Sequence, residues 1–283
     1  MKNFLAFLSA LMICHATYAA ELFGTVDAIS GNAFVTDKLG KSSGISMGQK
    51  VYEGQTVNTA SGGEVHLVTE DGGIIALRPN TVFRMDEYKA DGGSDDKIFM
   101  SLLKGAMRSI TGWIGKHNTS AYLVTTPTAT IGIRGTDHET TVIDTADGDE
   151  PGTYDTVNEG ATSLKTPKGE TEVMPGKFAF ASKIGTAAPV LLTKQPTFWG
   201  RRKLKIEGRI QKRKEFLRGH MENMRNNRIK RTNTIHGARG SQVEKNGQSA
   251  EKGNVLKNHR EQTKQRQEVK RKEAEPRKRK NLN

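Results

Sequence analysis

Arg134 is the residue in this chain most clearly placed to do chemistry. It stands in the run Ile131-Gly132-Ile133-Arg134-Gly135-Thr136, with a glycine close on either side. A guanidinium presents its donors as a rigid planar fork. An arginine in a glycine-flanked turn therefore has two uses. It fixes the turn by donating to backbone carbonyls or one carboxylate, or it recognises a carboxylate or strand of a partner. The fixing role is the expectation, and the glycines suit it by permitting positive φ and close backbone approach. Immediately after come Asp137, His138 and Glu139. In a strand, alternation puts the two carboxylates on one face and the imidazole on the other, so the triplet is not by itself an acid–base dyad.

Other chemical candidates are sparser. The acidic runs Asp91 to Asp96 and Asp144 to Glu150 supply oxygen ligands for a hard cation, but their spacing is not that of a calcium loop, and solvated turns are expected. His66, His117 and His138 are isolated, with no His-x-x-x-His pair to place two imidazoles on one helix face. No Gly-x-x-x-x-Gly-Lys-Ser/Thr phosphate loop occurs. No catalytic residue, metal ligand or cofactor is expected. An envelope hydrolase or other enzyme on a β body is the alternative function class, and it requires a clustered acid, base or nucleophile.

The second chemically distinctive group is cationic. From Trp199 onward the chain holds 27 Lys and Arg against 9 Asp and Glu, while the residues before it hold 17 against 22. Such a split separates an acidic body from a basic tail and places a boundary near Pro196. Trp199, Arg201, Arg202, Lys203, Lys205, Arg209, Lys212, Arg213 and Lys214 are the candidate contacts to an anionic surface, either phospholipid or lipopolysaccharide. Nucleic acid is a lesser alternative partner, since phosphate neutralisation needs little beyond Lys and Arg.

The elements that position these groups follow from the apolar pattern. Residues 123 to 143 are dense in β-branched side chains and punctuated by Pro127, Gly132 and Gly135, which argues for strand, turn, strand. Glu64 to Thr69, Thr81 to Tyr88, Lys97 to Leu103, Thr140 to Asp144 and Lys177 to Ala181 read as further strands. Ile98, Met100 and Leu102 recur at period two, and the intervening Phe99 and Leu103 are also apolar, so this strand is expected to be covered on both sides. Phe34-Val35-Thr36, Leu67-Val68-Thr69, Leu123-Val124-Thr125 and Leu164-Lys165-Thr166 echo one another at spacings of 33, 56 and 41 residues. That is too uneven for a regular solenoid. The fold class is all-β, a rolled or solenoid-like β body over residues 20–196, with a β-sandwich as the alternative.

At the start, Lys2, the apolar run Phe4 to Ile13 and the small residues Thr17-Tyr18-Ala19 have the form of a signal peptide, residues 1–19, cleaved after Ala19. A run of this length falls short of the roughly 20 residues that span a bilayer. Cleavage would remove Cys14, the only cysteine, and leave a periplasmic or secreted chain without thiol chemistry. At the other end, Trp199, Leu204, Ile206, Ile210, Phe216, Leu217, Met221 and Met224 mark one helical stripe. Gly200, Gly208 and Gly219 weaken it by about 1 kcal/mol each. A broken amphipathic helix is expected over 197–231, followed by a basic disordered tail over 232–283.

Thr126, Pro127, Ala129, Ile131, Gly132, Arg134, Gly135 and Thr136 together closely resemble the signature of the FecR domain, the periplasmic part of the ferric-citrate regulator. Gly24-Thr25-Val26, Gly54 to Thr59, Glu64 to Leu67, and Leu103-(x)-Gly105-(x)-Met107-Arg108 extend the similarity to about residues 22–182. The resemblance implies a non-catalytic module, possible in signalling, that binds an envelope protein or polymer. It makes Thr126, Pro127, Gly132, Arg134, Gly135 and Thr136 the motif and recognition candidates. The family's regulators also carry a sigma-factor-binding segment and a transmembrane helix. Neither pattern is read in this chain, so no sigma factor is expected as a partner.

Overall fold

The computed structural model describes residues 20–146, 148–201 and 204–235. The expected signal peptide and nearly all of the expected disordered tail lie outside them. The described residues up to Arg228 form one compact unit, and the described residues 229–235 belong to another.

Among the described residues up to Arg228, fifteen strands form one mixed sheet. Its frame is three long strands, β9 (Lys97–Ile110), β11 (Thr130–Ile143) and β12 (Gly152–Thr166). Each takes part in two halves of the sheet. In the first half, residues 105–110 of β9 lie between β7 (Ile74–Leu77) and residues 137–142 of β11. This half continues through β6 (Glu64–Thr69), β1 (Leu22–Ser30) and β4 (Lys50–Tyr52) on one side. On the other side it continues through residues 152–159 of β12, then β14 (Phe178–Ser182) and β15 (Val190–Leu191). In the second half, the first part of β9 lies between β8 (Val82–Lys89) and β10 (Tyr122–Thr125), the latter parallel to it. Here β8 leads to β5 (Thr56–Thr59), β2 (Ala33–Thr36) and β3 (Ser42–Gly44), and β10 leads to residues 130–134 of β11, residues 161–166 of β12 and β13 (Gly169–Val173).

The fold line between the halves is written in glycine. Gly105, Gly135 and Gly160 have φ of 82°, 62° and 82°, one on each long strand. A Cβ at Gly160 would sit 2.5 Å from the Gly135 carbonyl oxygen, so these strands turn together only where side chains are missing. The expected rolled body is therefore realised as a continuous sheet bent along one crease rather than as a regular solenoid or two separate sheets. Phe23, Val26, Leu67, Leu77 and Met107 of the first half share one core with Phe83, Met85, Met100, Leu102 and Val124 of the second. The Phe23 ring lies 6.2 Å from Phe83 and 5.1 Å from Tyr88 across it.

The expectation that the strand at Lys97 to Leu103 is covered on both sides is corrected. Ile98, Met100 and Leu102 are buried in the core, but Leu103 is 40% exposed and Phe99 half-buried. Nothing among the described residues forms a layer over this outer face, and the Lys97 ammonium shields Phe99 from 5.8 Å above its ring.

Candidate interaction surfaces

The outer face of the first half is covered, and its cover is the basic segment. After the short helix α1 (Trp113–His117), residues 197–201 form a second, α2 (Thr197–Arg201), and residues 208–235 a longer one. Between α2 and the longer helix, residues 204–207 are not helical, and Gly208 is the first residue of the longer helix. Within the first unit, Ile210 and Leu217 of the longer helix are buried against Ile74, Ala76 and Ile110, with Met224 packed alongside. Gly72 leaves room for this approach, since a Cβ there would meet the Met224 methyl at 2.6 Å.

Around that apolar strip runs a seam of charge. Arg108 holds Asp137 through two hydrogen bonds of 2.8 Å and reaches Glu207 at 2.5 Å. Arg78, buried, donates to Glu139 at 2.8 Å and also pairs with Glu207. Lys214 donates to Asp137 at 2.8 Å and Glu159 at 2.6 Å, and Arg213 to Asp27 at 2.5 Å. Glu64 accepts the backbone N–H groups of Lys205 and Ile206, and Arg228 pairs with Glu70. Burial opposes ionisation of Asp137, but its hydrogen bonds from Arg108 and Lys214 hold the carboxyl down at about 2. Glu207 is also lowered, with burial opposed by Arg78 and Arg108.

Asp137 and Glu139 thus face the helix. His138 is turned to the interior, with Nδ1 3.0 Å from Asp155. The acidic loops have structural work: Asp96 accepts from the Asp91 and Gly92 amides and the Trp113 indole, and Asp149 accepts from the Thr197 and Phe198 amides at the start of α2.

The signature residues divide between a turn, a strand and the crease. Thr126 accepts from the Ala129 amide at 3.0 Å and donates to its carbonyl at 2.9 Å, so the turn between β10 and β11 closes at Pro127. Gly132 and Arg134 are inside β11, and Gly135 is the crease glycine. Thr136 is buried, and its carbonyl accepts the Thr111 amide. Arg134 does not brace a turn, which corrects the expectation. A strand interior sends its side chain off the sheet, where it is 61% exposed and 3.5 Å from Glu172, itself 59% exposed. A pair this exposed is worth about 0–1 kcal/mol. Arg134→Ala is accordingly expected to leave the melting temperature nearly unchanged, and a drop of many degrees by calorimetry would restore the bracing role. Arg134 opens instead on a shallow groove of about 260 Å³ lined by Leu123, Gly132, Ser163 and Lys165.

Of the basic candidates, Lys205, Arg209 and Lys212 are exposed, and Arg213 and Lys214 are turned to the sheet. Arg201 is exposed at the end of α2, Trp199 packs edge-on against Phe178 at 5.1 Å, and Arg202 and Lys203 lie outside the described residues.

Comparison with known proteins finds the FecR protein family across residues 55–163, from β5 to within β12, so the resemblance read from the signature holds over that span. No curated protein matches the chain. Two crystal structures of a candidate anti-sigma factor from Parabacteroides distasonis are similar at 14% identity and a TM-score of 0.40, covering 50% of this chain. The chain spans 60% of that protein's length. A cell surface anchoring domain is similar at 21% identity and a TM-score of 0.22, over 22% of this chain and 82% of its own.

Proposed function

We propose, taking the FecR match across residues 55–163 as premise, that the protein is an exported, non-catalytic binding or scaffold module of the bacterial envelope with a signalling role. Its β body recognises an envelope protein or polymer, and its basic C-terminal region contacts an anionic surface. The observation that carries this reading is the contrast between the two outer faces of the folded sheet. On the first, arginines and carboxylates are engaged in fastening the helix. On the second, Phe34, Leu103 and Thr125 are exposed, and Phe99 and Leu123 partly exposed, beside Arg134 and Lys165. An exposed face mixing apolar and hydroxyl groups with a few cations suits a partner surface.

Capture from spheroplast extract on the immobilised mature chain tests this. Arg134→Glu combined with Phe99→Ser should reduce capture of the enriched partner by about tenfold or more, as loss of interface anchors does. Thermal stability should be little affected, because Arg134 is exposed and Phe99 lies on the outer face of β9 rather than in the core. Undiminished capture by that variant would sink the open-face reading.

A further inference from the structure

The anionic-surface contact in the reading above can be assigned to one face of the docked helix. Ile210, Lys214, Leu217 and Met224 point toward the sheet. On one exposed flank, roughly 115° round the helix from these at 3.6 residues per turn, Arg209, Lys212, Phe216, His220 and Asn223 succeed one another at intervals of three and four. A single exposed apolar residue is ordinary. Phe216 differs in its setting: it is 54% exposed, stacked on His220 at 4.5 Å, with the Arg213 guanidinium 5.4 Å from its ring centre. The nearby carboxylates are off this stripe and already engaged, Glu215 by Gln211 at 2.9 Å and Glu222 by Arg225 at 3.8 Å. The helix therefore presents a cationic strip with one aromatic ring at its middle, while another flank is fastened to the body.

We infer that this strip is a lipid-facing surface, on which the helix lies flat against an anionic bilayer without leaving the sheet. Phe216 enters the headgroup boundary, and Arg209 and Lys212 meet phosphates. This differs from a free amphipathic tail, in which Ile210 would insert; here Ile210 is part of the core. The helix covers the outer face of the first half-sheet, whereas Arg134 stands in the second half.

The inference rests on the anionic-surface reading, and one experiment separates the two. The full mature chain is sedimented at low salt with vesicles of phosphatidylcholine alone or mixed with phosphatidylglycerol. The wild-type chain should pellet with the anionic vesicles. Arg209→Gln with Lys212→Gln should weaken binding about thirtyfold, at about fivefold per cation, and adding Phe216→Ser should weaken it further. A Phe216→Trp probe should be quenched by acyl-brominated lipid beyond the quenching of the wild-type chain. If the wild type pellets, the charge variant pellets equally and the probe is not quenched, another basic region makes the contact and the strip assignment is overturned. If the wild type does not pellet with anionic vesicles, both the strip and the surface reading fall.

Discussion

Arg78→Met is expected to destabilise the folded protein by about 3–5 kcal/mol, the range found when one partner of a buried ion pair is removed. Arg78 is 3% exposed and joins Glu139, at the centre of the sheet face, to Glu207, on the segment leading into the helix. Removing its charge leaves the carboxylate of Glu139, itself 3% exposed, without this counter-ion, and Glu207 with Arg108 alone. In a unit of this size the melting temperature should fall by roughly 10 °C. The double variant Arg78→Met with Glu139→Gln should recover much of the loss, because the cost is a buried charge that has lost this counter-ion rather than a missing contact. A double variant no more stable than the single would show that Arg78 acts through packing. A single variant within about 0.5 kcal/mol of wild type would show that the seam does not fasten the helix.

How much of this seam was legible in the sequence depends on distance along the chain. Alternation alone places Asp137 and Glu139 on one face and His138 on the other, because a strand has a fixed period of two. The charge split between body and tail was equally plain. What no local pattern could give is that the two charges meet, since the partners of Arg78 and Asp137 lie 129 and 77 residues away, at Glu207 and Lys214. The same limit misplaced the turn. Pro127, Gly132 and Gly135 all read as breakers, and only the Thr126–Ala129 hydrogen bonds reveal that the first closes a turn while the last bends a continuous strand. Likewise Phe99 and Ile98 are both apolar, and which of them a second layer covers is a fact of tertiary packing.

Acidification should weaken the protein in two stages, the first governed by His66. This residue lies on β6, 2% exposed, with Nε2 buried and lacking a hydrogen-bond partner among the described residues. Burial, and next the charge of Arg78, push its pKa down to about 4; Arg209 adds to this, and Glu207 and Asp27 oppose it. Unfolded, the imidazole titrates near 6.5. Between the two values the unfolded chain binds the extra proton, so stability is full above about pH 6.5 and falls as pH drops to about 4, by about 3 kcal/mol. The second stage belongs to Asp137, whose lowered pKa means that its contribution, present above about pH 4, is lost toward pH 2. Urea midpoints at pH 7.5, 5.5 and 4.5 measure the first stage. His66→Gln should flatten this interval and leave the lower one unchanged. Arg78→Met should shrink the slope without abolishing it, because it removes only the second of the three causes that lower the pKa. Parallel pH profiles for wild type and His66→Gln would mean that a different group senses the acid, and that the imidazole beneath the helix is not a source of the stability lost.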